Sequence, residues 1–292
     1  MKINRLNKYL KNSWQILVLV LVAVVLAVTL RIFVFSTFKI PSPSMEPALK
    51  SGDYIIVNKL IPGARIFKDY DFLENNSKPN LWRLKGVRSI KRNDVLVFNF
   101  PYSTKGKLSL DINKYYVKRC IAIPGDTFYI DNGIYKVKGC KDTLGNIENQ
   151  MRMSHSLESD FESNVFQCFP KRSSYHWNLK FFGPLYVPHK GDCLNIDTMN
   201  ISLYRQLIEY ETARYIKQKG GQVLLNDSCI SKYTFQTNYY FMSGDHVLDS
   251  RDSRYWGLLP EDHIVGKASI IWKSEDKYSG EIRWNRVMKF IK

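Results

Sequence analysis

The chain has little with which to cross-link itself or to bind a metal. It has five cysteines (Cys120, Cys140, Cys168, Cys193 and Cys229), and none are paired at Cys-x-x-Cys spacing. That leaves no zinc-ribbon or thioredoxin-like motif. Disulfides, most readily within 140–193, and buried free thiols both remain compatible with the spacing. His155, His176, His189, His246 and His263 never stand three or four residues apart, so no helix face offers a metal pair. Gly-x-Ser-x-Gly, the turn of a nucleophile elbow, is absent. There is no internal repeat, no low-complexity tract, and no helix-turn-helix, zinc-finger or RNA-binding signature. No acidic residue precedes Glu46.

Long apolar runs are scarce too, and the one present is informative. Between Ile16 and Leu30 only Thr29 is polar, and the stretch 14–35 has the ~20 residues that a bilayer-spanning helix needs. Lys2, Arg5, Lys8 and Lys11 precede it, which places the N-terminus in the cytoplasm and everything after Phe35 outside. Arg31 and Lys39 lie on the exported flank, where Arg31 can snorkel to the interface. A cleavable export signal has a shorter apolar region, ~7–15 residues, and a small-residue cleavage site. Here bulky Phe33, Phe35 and Phe38 follow, so an uncleaved anchor is expected. His263 to Trp272 is too short to span again.

Lysine and arginine number 43 against 27 acidic residues, a net charge of +16. A basic exported surface beside a membrane suits anionic lipid headgroups. Export argues against nucleic acid as a partner. Strands are expected at Asp53–Val57, at Asp94–Phe100 ended by Pro101, at Tyr115–Ile123 and in a hairpin over 127–138, with further apolar runs over Val265–Trp272 and Glu281–Phe290. Ile201–Lys219 reads as the one clear soluble helix, bounded by Gly220-Gly221, with Ile208, Tyr210, Tyr215 and Ile216 on one face. Residues 140–200 read as polar and irregular, and 61–92 as an exposed, charged excursion. The expected organisation is an arm over 1–13, an anchor over 14–35, a mainly antiparallel, barrel-like β core from 36–126 and 234–292, and an inserted α+β lobe over 127–233.

Three segments carry chemistry. In Pro41-Ser42-Pro43-Ser44-Met45-Glu46-Pro47 each proline fixes its own φ and restricts the residue before it, so two hydroxyls are held in a stiff turn beside the membrane. In Tyr115 to Asp126, strand alternation puts Tyr116, Lys118 and Cys120 on one face. A lysine of ordinary pKa, ~10.4, is almost wholly charged at neutral pH, but burial lowers that value by ~3–5 units and makes the amine a usable base. A solvated strand lysine and a desolvated base both fit these residues. The third segment, Ser243 to Gly257, is dense in polar groups. Asp252 and Arg254 can clamp it as a carboxylate–guanidinium pair, and Ser250 can orient an amine.

Together these segments resemble the bacterial type I signal peptidases. Five boxes occur in order behind the anchor: Pro41 to Pro47; Gly52-Asp53-Tyr54 with Asn58-Lys59; Asp94 to Phe98 with Pro101; Tyr116-Val117-Lys118-Arg119 ending in Pro124-Gly125-Asp126; and Gly244-Asp245 through Ser250, Asp252-Ser253-Arg254 and Gly257. The resemblance implies a membrane-bound serine endopeptidase of a bacterial inner membrane that removes signal peptides from exported preproteins. It implies Ser44 as nucleophile, Lys118 as general base, Ser42 and the Ser44 amide as the oxyanion hole, Ser250 as the residue that orients the lysine, and Asp252, Arg254 and Tyr116 as supports. It also implies a preference for small residues at the first and third positions before the cut. No cofactor or metal is called for, and a monomer is expected. A non-catalytic exported β-module, or a Ser–Lys protease acting on itself or on one dedicated substrate, are the competing classes. Two departures stand out. His246-Val247 replaces the usual Asn-Arg, and Pro43 stands where many members carry glycine.

Overall fold

The computed structural model describes residues 2–75, 78–102, 107–171 and 174–292. The side chains of the basic N-terminal arm, and Met1 altogether, lie outside the described residues. Lys2–Phe33 is a single helix, and its Trp14–Phe33 part has a mean hydropathy of 3.0 with no residue of it buried. At ~1.5 Å per residue those 20 residues reach about 30 Å, the thickness of a bilayer core. It is the one helix among the described residues long and apolar enough to cross a membrane.

The rest is mainly antiparallel β-structure. One eight-stranded sheet runs in the order Phe35–Lys39, Asp53–Asn58, Ile264–Ser274, Val95–Tyr102, Leu108–Ala122, Tyr239–Ser243 and Leu259–Pro260, with Lys289–Phe290 also paired to Ile264–Ser274. The Val95–Tyr102 strand shows why the sequence reads as a continuous apolar run there. Val95 and Val97 enter a core with Ile40, Met45, Leu49, Ile55 and Val57. Leu96 and Phe98 enter another with Cys120, Met242 and Leu259. A strand covered on both faces has no solvent side on which to place polar residues.

Residues 127–233 add smaller sheets and two helices of regular length. Thr127–Asp131 and Ile134–Val137 form the expected hairpin. Its turn residues Asn132 and Gly133 both have positive φ, 46° and 81°, which suits a tight hairpin turn. The apolar core of this region is continuous with the main sheet, since Ile121, Ala122, Tyr239 and Phe241 belong to the same cluster as Phe128, Phe182 and Leu207.

Several expectations need correction. The helix expected over 201–219 is Ile201–Thr212, and Ala213 breaks it at φ 54°. Ile216–Lys219 is instead a strand paired with Gln222–Leu225. Gly220 and Gly221, at φ 58° and 76°, are hairpin-turn residues and not a helix stop. The buried helix face is Ile201, Leu203, Tyr204, Leu207, Ile208 and Tyr210, whereas Tyr215 lies past the helix and is exposed. Pro101 does not end its strand, because the ladder shifts register between Phe100 and Tyr102 and so frees the position from donating. The following strand begins at Leu108, well before Tyr115. The 140–200 stretch holds the helix Ile147–His155, capped by the Asn146 side chain, and buries Leu144, Met153, Trp177 and Leu179.

The charged 61–92 segment is tied down by arginines. Arg83 donates to the carbonyls of Gly63, Glu261 and Ile264, and Arg65 to Asp262 O and Asn99 Oδ1. Arginine's fixed fork of donors turns what reads as a solvated charge run into a stitch across the sheet end.

At the other end, fully buried Asp53 accepts from Arg286 Nη2 at 2.6 Å, Ser274 Oγ at 2.6 Å and Lys50 N at 2.8 Å. Asp53→Ala leaves Arg286 buried and unpaired. Its expected cost is ~3–5 kcal/mol, read as a lowered unfolding midpoint of the detergent-solubilised chain.

Candidate active site

Ser44 sits in a turn closed by the Glu46 amide donating to Pro43 O at 2.8 Å. The loop is held from beneath by Met45 and Leu49, which are buried in the core under the first strands. Ser42 Oγ lies 3.3 Å from Ser44 Oγ and is exposed. Among the described residues nothing accepts from the Ser44 amide.

Lys118 is on the strand Leu108–Ala122, directly across from Leu96, and only 2% of it is exposed. Its Nζ lies 2.5 Å from Ser44 Oγ and 6.0 Å from the Tyr116 ring centre. Tyr116 is itself stacked on Phe100 at 4.7 Å. Cys120, two residues on, is wholly buried. Burial pushes the Lys118 amine down to about 8; the Asp252 carboxylate pulls against this and the Arg254 guanidinium adds to it. At that value roughly one amine in ten is uncharged at pH 7, some two hundred times more than for a free lysine. A hydroxyl within proton-transfer distance of such an amine is equipped for nucleophilic attack on a carbonyl.

The loop after Tyr239–Ser243 closes the site. Gly244 is there for want of a side chain. A Cβ on it would lie 2.2 Å from Ser250 Oγ and 2.4 Å from Ser44 O. The next amide that reaches Ser44 belongs to His246, which donates to Ser44 O at 3.2 Å. The His246 ring makes no hydrogen bond to Ser44; its Nδ1 is buried without a partner. Ser250 Oγ is likewise buried with no hydrogen-bond partner among the described residues, so it does not bond the Lys118 amine in this conformation.

Asp252 and Arg254 are wholly buried and pair at 2.8 Å through both Nε and Nη2. They do so across the start of a short helix, Ser253–Trp256, which Asp252 caps, and not along an extended strand. Asp252 also accepts from the Gly244 amide at 3.0 Å, and Arg254 Nη2 donates to Ser250 O at 3.2 Å. The pair thus joins the two ends of the loop. Burial opposes the charge of Asp252, but the guanidinium beside it holds the carboxyl below its usual range.

Two contacts are not legible in the sequence. Arg119, on the strand face opposite Lys118, forks onto Asp245 with both bonds at 2.6 Å. Asn149, on the helix Ile147–His155, donates to Asp245 O at 2.8 Å and to Glu46 O at 3.4 Å. One amide group therefore ties the serine loop to the Gly244 loop. No residue pattern marks Asn149, since its segment reads as irregular. Among the described residues no group of three or more His, Cys, Asp or Glu side chains is placed to hold a metal ion.

Two outcomes follow from this geometry. The rate at which a small acyl donor modifies Ser44 should rise with pH and level off above about 8, and Gly244→Ala should lower it by ~10²-fold through misplacement of the hydroxyl. Lys118→Met should raise the unfolding midpoint at pH 6.5. Below the folded value of about 8 the native chain bears the full cost of a buried amine, and that cost fades as pH climbs from there toward the free-lysine value. The stability gap between variant and parent should therefore shrink over the same range; a gap that widens would contradict the burial argument.

Comparison with known proteins gives the family. The family model "Signal peptidase, peptidase S26" matches residues 13–273. The signal peptidase I of Buchnera aphidicola subsp. Schizaphis graminum is 32% identical over 257 residues, which cover 86% of this chain and 72% of that one. Its counterpart from Buchnera aphidicola subsp. Acyrthosiphon pisum is 30% identical over 264 residues, covering 88% and 76%. That of Haemophilus influenzae is 27% identical over 312 residues, covering 99% and 77%. The chain belongs to the signal peptidase I family of membrane-anchored serine peptidases, which cut signal peptides from preproteins with a Ser–Lys dyad.

Proposed function

We propose that Ser44 is the nucleophile of this signal peptidase and Lys118 its general base. The observation that carries the assignment is the 2.5 Å approach of a lysine amine, 2% exposed, to a serine hydroxyl on a turn. Uncharged Lys118 takes the Ser44 proton as Oγ attacks the scissile carbonyl. The oxyanion forms beside the unengaged Ser44 amide and the Ser42 hydroxyl. Lys118 then gives its proton to the leaving amine, and it activates the water that releases the acyl-enzyme. Ser250, with an unspent buried hydroxyl near Ser44 O, orients the amine when Lys118 swings from serine to leaving group. Asp252, Arg254 and Tyr116 support that arrangement.

The finer setting is part of the same proposal. The four cations before the apolar helix put the N-terminus in the cytoplasm of a bacterial cell, with one span of the inner membrane and the reaction on its outer side. Residues 36–126 and 234–292 form the catalytic β core, and 127–233 an inserted lobe whose Asn149 steadies the serine loop. The chain acts as a monomer without a cofactor and has no nucleic-acid partner. Anionic lipids are its second partner, met by the basic surface and by exposed aromatics such as Trp284 and Phe290.

Ser44→Ala and Lys118→Ala should each abolish preprotein cleavage while leaving the unfolding midpoint near or above that of the parent. Ser42→Ala should lower kcat by ~10²–10³ with little change in KM, as expected for a donor that engages only the transition state. Normal processing by the Ser44 variant would overturn the assignment. Substrates varied at the third residue before the cut should separate a small-residue signal peptidase from a protease with one dedicated target.

A further inference from the structure

The helix Ile201–Thr212 buries Leu203, Tyr204, Leu207 and Ile208 on one side. Ser202, Arg205 and Gln206, spaced i, i+3 and i+4, share the other side and are only partly exposed. They are partly covered because they form one wall of a cavity of about 760 Å³. The cavity lies where the 127–233 region meets the main sheet. Tyr102 reaches it from the strand Val95–Tyr102, and Tyr255 and Trp256 from the short helix Ser253–Trp256. Phe169 and Lys171 also line it.

Its walls are bonded to one another. The Tyr102 hydroxyl meets both Gln206 Oε1 and Trp256 O. Gln218 Nε2 donates to Thr198 O at 3.1 Å, and Phe169 N to Arg254 O at 2.7 Å. A ligand entering such a cavity has few of its walls to order first. The charge inside is unbalanced. Lys171 and Arg205 come from distant parts of the chain, and among the described residues neither has a hydrogen bond or an ion pair. Glu209, one turn past Arg205, is its natural partner, but that carboxylate accepts from Ile216 N at 2.9 Å. Among the described residues no acid lines the cavity. The indole N–H of Trp256 is buried without an acceptor as well.

We propose that this cavity is an exosite for the substrate, which holds an acidic stretch of the preprotein beyond the bond that is cut. The proposal rests on the chain acting on preproteins and not on which residue is the nucleophile. Two unpaired cations and a spare N–H call for a ligand rich in carboxylate acceptors. At about 760 Å³ the cavity has the size of sites that take whole drug-sized molecules, so a lone phosphate ion would leave most of it empty. A glutamate-bearing segment sets its carboxylates at Lys171 and Arg205 and its backbone against the hydroxyls and amides of Ser202, Thr198 and Gln218. The preprotein brings such a segment in tethered form. Once its cleavage sequence is engaged, a second contact forms at raised effective concentration.

The test uses the detergent-solubilised full chain and preproteins that carry a short run of glutamates, or the same run as glutamines, at successive distances after the cut. Over one range of distances the glutamate substrate should show a KM lower by about fivefold with kcat unchanged, the factor expected for two solvent-exposed ion pairs. Lys171→Glu combined with Arg205→Glu should remove that advantage and transfer it to a substrate with lysines in the same place. Lys190→Glu combined with Lys232→Glu changes the net charge equally at exposed residues outside the cavity and should preserve the advantage. All of these chains should hydrolyse a short neutral peptide that ends soon after the cut with the parent's kcat/KM. Equal KM for the glutamate and glutamine substrates at every distance would overturn the exosite. So would loss of the advantage in the Lys190 and Lys232 variant, which would trace it to overall charge. Binding of a labelled acidic peptide to the Ser44→Ala chain, weakened by the Lys171 and Arg205 changes, reads the same site without cleavage, so failure of the nucleophile assignment leaves it standing. Inorganic phosphate bound there with no binding of the acidic peptide would give the cavity to a small anion and overturn the proposal.

Discussion

The rest of the molecule is arranged around an amine kept dry next to a hydroxyl. A lysine in water is a poor base at neutral pH because it is already protonated. The Lys118 amine is driven toward its uncharged form because the sheet leaves it 2% exposed, with Leu96 across the ladder and wholly buried Cys120 two residues away on the same face. The same burial that uncharges the amine costs stability, so the fold must supply it from elsewhere. It does so with apolar cores on both faces of the strand Val95–Tyr102. A single-faced sheet would leave one side of this ladder wet and the lysine charged.

A dry site also dictates what the neighbouring charges must be. A carboxylate free to approach Lys118 would stabilise its ammonium and undo the effect of burial. Asp252 is close enough to pull the lysine's pKa up, yet its carboxylate is committed to Arg254 by two bonds of 2.8 Å. Arg254 pushes the other way. The second acid of this loop, Asp245, is likewise committed, to Arg119 on the opposite face of the Lys118 strand. Two of the three acids that act on the amine thus carry their own guanidinium, and Asp249 is the third. The two pairs also fix the Gly244 loop in position, so one set of contacts serves electrostatics and geometry together.

The sequence shows those parts whose cause is local. The anchor is legible because a bilayer demands length and apolarity in one unbroken run. Lys118 is legible as a charged residue within strand-forming neighbours, and Asp252 and Arg254 as a close pair. Parts that depend on distant segments are not. Asn149 touches Asp245 and Glu46 across about a hundred residues of chain, and neither its type nor its spacing signals this. Arg65 and Arg83 read as solvated charges because all but one of their acceptors are backbone carbonyls, which every residue has. The helix end at Ala213 was hidden because Gly220-Gly221 serves a hairpin as readily as a helix stop. The need for glycine at 244 is clear only once Ser250 and Ser44 are seen on either side of it.

The serine loop shows how a local cue can be right for an incomplete reason. Pro41 and Pro43 stiffen the chain, but stiffness alone does not say where the hydroxyl points. The loop is a connection between two paired strands, and its ends are joined where Ile40 N donates to Asp53 O and Gly52 N to Ile40 O. Met45 and Leu49 drive it into the core from within. Gly52, at φ 90°, passes so close to Glu275 O that a Cβ would lie 2.0 Å from it, which presses the loop's exit against the C-terminal segment. Asp53, the next residue, binds Arg286 from that same segment. Ser44 is therefore held by the burial of the residue after it and by a buried ion pair at the loop's far end, with the prolines limiting what remains. The strand entering this loop is the one that follows the apolar helix, so the loop's entry and the helix end share one continuous ladder.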